Sequence, residues 1–248
     1  MNNSRSYLDH CEWLSYRKLG NFYLRNNLKI IFIGNSRIRW NYDSYTNDIP
    51  GIITKLALFN NINIDSFVFY SGQTTLEQHW HNPDIHNLIK SDWFDFIIFH
   101  EYGIREASEI EWSLYLEYAS KFIQLTQGQI IPILLTTWGF QNDTHIPDKL
   151  SAKAKTIASY NSNIYTEIFD TGKFLKNFYK LNNIFYDISH LNIDSMYFLC
   201  CLFHYFLHKQ PILNTVNSFE TEIGMRIDMD IDKMKFLEKL AWMEYNNI

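Results

Sequence analysis

Cysteine, glycine and proline are scarce in this 248-residue chain, with only 3, 9 and 5 residues respectively. The cysteines are odd in number: Cys200 and Cys201 are adjacent in an apolar run, and Cys11 stands apart from them. Neither a disulfide framework nor metal-ligand spacing can be drawn from them, so reduced, mostly buried thiols are expected. A basic stripe is also missing. The formal net charge is −5, and the mild N-terminal excess at Arg5, Arg17, Lys18 and Arg25 is not the clustered charge that neutralises phosphates. No nucleic-acid partner is expected. The longest apolar run, residues 196–207, is too short to span a bilayer and contains His204. Residues 1–13 lack the apolar stretch of a signal peptide. No membrane association is expected, and a cytoplasmic location is. No internal repeat or low-complexity segment appears.

What is present is a core-former. Hydrophobic residues make up 46% and charged residues 20%, as in soluble globular proteins. Aromatics reach 17%, a compositional bias with no functional reading. Residues 28–33 form a continuous apolar run, as expected of a strand buried on both faces; 62–70, less continuous, 94–99, 130–136 and the weaker 164–169 read as the further strands. Between and after them, residues 51–60, 107–126, 149–159 and 193–208 read as helices. Strand and helix alternate, which predicts right-handed βαβ crossovers and a three-layer α/β/α sandwich with a five-stranded parallel sheet. Residues 1–248 are expected to form one domain, with 1–27 as an N-terminal extension and 211–248 as a tail packed on it. Within that tail, 212–230 looks irregular and 231–244 helical.

Three segments carry chemistry. Ser36 follows the first strand in Gly34-Asn35-Ser36, so it emerges at the edge of a parallel sheet where ligands bind. Gly34 lets the backbone turn tightly, and the amides after it are expected to start a helix and to be available to an oxyanion. A plain helix cap at Asn35-Ser36 remains the other reading. Ser71-Gly72-Gln73 follows the second strand. Near the end, Asp187 and His190 are three apart, so both side chains can lie on one side of a turn, with the carboxylate fixing the imidazole tautomer. Capping of the helix at 193 by Asp187 or Ser189 is the local alternative.

In this order the segments resemble the SGNH (GDSL-like) hydrolase superfamily. There a serine follows the first strand, a glycine the second, a polar residue the third, and an Asp-x-x-His block supplies the base. The resemblance runs from residue 28 to about residue 207. It implies a flavodoxin-like strand order and a Ser36–His190–Asp187 triad, with the Ser36 and Gly72 amides as an oxyanion hole. No cofactor or metal is needed. The third block departs: Phe99-His100-Glu101-Tyr102-Gly103 has no asparagine to donate to an oxyanion, and a carboxylate cannot donate unless protonated. Glu101, His100 and Asn35 are therefore the remaining candidates for oxyanion or substrate binding. Glu101 is expected to face the site and His100 to pack beneath a helix.

His79, His81 and His86 suggest a metal only weakly, because no fourth ligand completes them. Trp80, Trp138, Tyr102 and Phe140 follow the strands, where they suit either sugar or acyl packing or simple rim packing. The resemblance implies a serine esterase removing a small acyl group, such as O-acetyl on a carbohydrate, so the expected partner is a small-molecule or carbohydrate ester. Two alternatives stand beside it: an O-acyltransferase using the same triad on a sugar hydroxyl, and a non-catalytic carbohydrate-binding protein. The sequence leaves the oligomeric state open.

Overall fold

A sheet of five parallel strands lies at the centre of the computed structural model, which describes residues 27–42, 45–91, 93–103, 108–138, 146–178, 185–187 and 190–246. Residues 1–26 and Phe140 lie outside this set, so the readings placed on them stop at the sequence. The chain opens with β1 (Asn27–Gly34) and then a short hairpin, β2 (Arg39–Tyr42) and β3 (Tyr45–Asp48). The other sheet strands are β4 (Asn63–Tyr70), β5 (Phe96–Phe99), β6 (Ile131–Leu135) and β7 (Glu167–Phe169). Their order, β4-β1-β5-β6-β7, is flavodoxin-like, and every pairing in the sheet is parallel.

Both faces are covered, which is why the strands read as apolar runs rather than alternating ones. On one face Ile30, Phe32, Ile98 and Ile133 pack against α1 (Ile49–Phe59) and, as α7, the helix Ile193–His208. On the other, Ile31, Ile33, Phe99 and Leu134 meet α2 (Leu76–Trp80), α3 (Pro83–Ser91), α4 (Trp112–Leu125) and α5 (Ile146–Tyr160). A shorter helix, α6 (Thr171–Phe178), follows β7. From Ser195 onward α7 is buried throughout, as expected of a helix apolar on every side. Its outer face is covered by α8 (Ile231–Asn246), whose Glu238 accepts hydrogen bonds from the Tyr197 hydroxyl at Oε1 (2.6 Å) and the Tyr205 hydroxyl at its carbonyl (2.9 Å). Cys200 and Cys201 are buried free thiols within α7. Among the described residues no helix is long and apolar enough to cross a membrane.

The structure differs from the sequence reading where elements are short. Residues 212–230 are not all irregular: β8 (Ser218–Glu220) and β9 (Arg226–Asp228) pair antiparallel, with Gly224 at φ +82° in the connection. Three-residue strands are too short for a period of two to show. The helix expected from residue 107 begins at Trp112, because the Ser108 hydroxyl first accepts from the amides of Ile110 and Glu111 and holds a turn.

Candidate active site

The C-terminal ends of β1, β4 and β5 lie side by side, with Gly34 in register with Tyr70 and Ile33 with Phe99. Gly34 is required by close approach: a Cβ there would lie 2.4 Å from Ile38 Cδ1 and 3.2 Å from His100 Cβ. Its carbonyl accepts a hydrogen bond from His79 Nε2 on α2 at 2.7 Å. Burial lowers the His79 pKa, so the ring is neutral with its proton on Nε2. Beyond Gly34 the backbone makes one turn, with the amides of Ile38 and Arg39 donating to Asn35 O.

No helix follows directly, contrary to the sequence expectation. The β2–β3 hairpin intervenes, and Asn47 at its end donates Nδ2–H to the Ser36 carbonyl at 3.0 Å and to the Arg37 carbonyl. Asp48 then accepts from Arg39 Nε (2.8 Å) and from the Gly51 amide, so α1 starts only at Ile49. The serine turn is thus clamped from both sides, by His79 and by Asn47.

The segment with Asp187 and His190 is closed by an antiparallel bridge between Phe185 and Leu191, and the Tyr186 amide donates to the His190 carbonyl at 2.8 Å. The Asp187 carboxylate takes two hydrogen bonds from His190: Oδ1 from the backbone amide and Oδ2 from Nδ1–H, each 2.7 Å. A carboxylate only accepts, so Nδ1 carries the proton and Nε2 has a lone pair. That lone pair faces Ser36 Oγ at 3.2 Å. Residues 154 positions apart in the chain are therefore joined in one hydrogen-bonded row. Solvent reaches it, since the side chains of His190 and Asp187 are 19% and 42% exposed.

Gly72 follows β4 and lies under the Trp40 indole, where a Cβ would come within 2.7 Å of Trp40 Cζ3. Among the described residues no hydrogen bond occupies the amides of Ser36 and Gly72. The other three expected site residues make bonds elsewhere. Asn35 is buried, and its side chain is consumed: Nδ2 donates to Thr74 O (3.5 Å) and to His100 Nδ1 (3.4 Å), while Oδ1 accepts from the Arg37 amide. Asn35 thus ties the serine turn to the next two loops instead of binding an oxyanion. His100 is fully buried beside the Trp138 ring. Burial, with the Arg37 guanidinium adding to it, holds its pKa down to about 3. It is neutral, with Nδ1 accepting from Asn35 and Nε2 buried without a partner among the described residues.

Glu101 does lie on the Phe99 side of the sheet, yet its carboxylate accepts from the Leu76 amide at the start of α2 (3.3 Å) and from the Tyr102 amide (2.6 Å). Buried and engaged in this way, it orients α2, the helix that carries His79. Glu101→Gln should therefore lower stability by about 1–3 kcal/mol, as for charge-assisted hydrogen bonds. It should leave kcat within about threefold. A tenfold fall in kcat with an unchanged urea midpoint would return Glu101 to the site.

Sequence reading missed Asn47, Trp40 and the buried Arg37, whose guanidinium lies 5.3 Å from the Trp138 ring centre and directly against Gly103. Nothing local marks these residues, because each acts on a segment that only the fold brings near. The histidines weighed as metal ligands diverge: His79 to Gly34, His86 to the Trp80 carbonyl, and His81 beside Tyr118. Among the described residues no group of three or more His, Cys, Asp or Glu is placed to hold a metal.

No protein-family model matches the chain, and no curated protein sequence does. Solved structures do match. A DUF4886 family protein from Bacteroides uniformis is 15% identical, with 89% of this chain and 94% of that one covered at a TM-score of 0.66. A member of the lipolytic G-D-S-L family from Veillonella parvula is 14% identical over 72% and 96%, at 0.53. A catalytic mutant of an acetylxylan esterase from Geobacillus stearothermophilus is 13% identical over 76% and 97%, at 0.57. The chain has the SGNH-hydrolase-like fold.

Proposed function

We propose that the protein is a serine ester hydrolase. The observation that carries this reading is the row Ser36 Oγ–His190 Nε2 and His190 Nδ1–Asp187 Oδ2 at 3.2 and 2.7 Å. Ser36 Oγ attacks the ester carbonyl as its proton passes to His190 Nε2, and Asp187 stabilises the imidazolium. The carbonyl oxygen, now negative, lies toward the unoccupied amides of Ser36 and Gly72. Collapse of this intermediate breaks the bond to the alcohol, which takes the proton from His190. Water repeats the sequence on the acyl-Ser36 ester and releases the acid.

The exposure of His190 and Asp187 favours water as the second acceptor. Acetylxylan esterase among the proteins of like fold, and the lipolytic G-D-S-L protein beside it, support ester chemistry with O-acetyl on a carbohydrate as the substrate class. Intact-mass analysis after exposure to a fluorophosphonate tests the reading. One phosphonyl group should add to the wild type and none to Ser36→Ala. A folded wild type that stays unlabelled would overturn it.

A further inference from the structure

A cleft of about 420 Å³ lies beside the segment that carries Asp187 and His190, a size within the range of small-molecule sites. Its walls come from Thr46 on β3, Tyr186 and Ile193 on either side of the acid–base pair, and Met225 and Arg226 at β9, with Met196 of α7 below. The two hairpins that frame it are joined: Asn41 Nδ2 of β2 donates to the Ile223 carbonyl in the β8–β9 connection at 3.2 Å. Both walls are therefore continuous with the catalytic edge, one through Asn47, which holds the Ser36 carbonyl, and one through the His190 segment.

The lining is amphipathic. Met196 and Met225 are buried and give an apolar floor, while Tyr186 is 53% exposed at the rim. Arg226, paired with Asp228 at 2.8 Å, and the Thr46 hydroxyl supply polar groups at the edge. Such a surface suits a ring with an apolar face and hydroxyls around it.

The mechanism decides which half of an ester lies on this side. His190 Nε2 must return its proton to the departing alcohol oxygen, whereas the carbonyl oxygen lies toward the Ser36 and Gly72 amides. The alcohol part thus points toward the segment 185–193. Ser36, Asp187 and His190 do not line the cleft, so a small alcohol stops short of it. We propose that the cleft is the alcohol-side subsite and that its occupant is an extended glycoside, one sugar ring of which seats against Tyr186, Met225 and Arg226. The inference rests on the proposed esterase reading and names its substrate.

The test compares acetylated xylotetraose with ethyl acetate for the wild type, Tyr186→Ala and Arg226→Ala. The Arg226 side chain is 67% exposed, and Tyr186 keeps its backbone bond to His190 as alanine, so both variants should fold. The ratio of kcat/KM for the oligosaccharide over ethyl acetate should fall about three- to tenfold in each variant, mainly through KM, as expected for loss of an aromatic or charged contact. An unchanged ratio in both, or failure of the wild type to turn over the oligosaccharide while its Ser36 is phosphonylated, overturns the subsite. If Ser36 is not phosphonylated, the esterase reading fails by itself. Binding of free xylotetraose to Ser36→Ala, followed by methionine-methyl NMR, then decides the subsite. Binding that is lost on adding Tyr186→Ala supports it, and absence of binding overturns it.

Discussion

Replacing Ser36 or His190 by alanine should lower kcat on a short acyl ester by about 10⁴- to 10⁶-fold, and replacing both should lower it no further. Non-additivity is the sharper half of this expectation. Ser36 is a poor nucleophile without a base at Nε2, and His190 has nothing to deprotonate without Ser36, so either change removes the same step. Asp187→Ala should be milder, at about 10⁴-fold. The imidazole keeps its lone pair but loses the Nδ1–H bond to Asp187 Oδ2 that fixes its tautomer, and the His190 backbone amide loses Asp187 Oδ1. The side chains of Ser36 and His190 are only partly buried, so thermal midpoints should hardly move. Losses below tenfold in correctly folded variants, or losses that multiply in the double variant, would refute the triad.

Acid should destabilise the protein steeply between pH 7 and 5. Burial holds the pKa of His100 and His204 down to about 3 and that of His208 to about 4, and it also lowers that of His79. These groups are neutral in the fold and charge in the unfolded chain below about pH 6.5. A depressed histidine pKa means that its contribution is complete above that pH and is lost as pH falls toward 3–4. His100, His204 and His208 each cost about 1.4 kcal/mol per pH unit in this window, or about 2 kcal/mol by pH 5. Three of them amount to about 6 kcal/mol, much of a typical domain's stability.

Glu238 acts in the opposite sense, because burial raises its pKa and its contribution declines as pH rises, but it is one group against several. Urea unfolding between pH 7 and 5 should therefore show a steep fall in stability. His204 and His208 form a ring pair 4.6 Å apart, with both His204 nitrogens and His208 Nε2 unpartnered among the described residues. His204→Phe should flatten the slope by about one proton, 1.4 kcal/mol per pH unit. A slope equal to that of the wild type would mean that His204 is solvated.

Much of this architecture is written locally. The runs at 28–33 and 130–136 are strands because only burial on both faces tolerates so little polarity, and their spacing leaves room for crossover helices. A glycine before Ser36 and a carboxylate three residues before His190 are likewise readable, since a tight turn and a tautomer-fixing acid are requirements of single segments.

The rest depends on contacts across the chain. The β2–β3 and β8–β9 hairpins have strands of four and three residues with mixed polarity, and their pairing shows only when the partner strand is in place. Glu101 reads as a site residue until the fold brings the Leu76 amide to it, and Asn35 does so until Thr74 and His100 take its donors. The sequence by itself determined which groups could do chemistry and at which edge of the sheet they emerge. Tertiary structure decided which are available for it, because a buried donor or carboxylate must be satisfied by whatever backbone the fold places beside it.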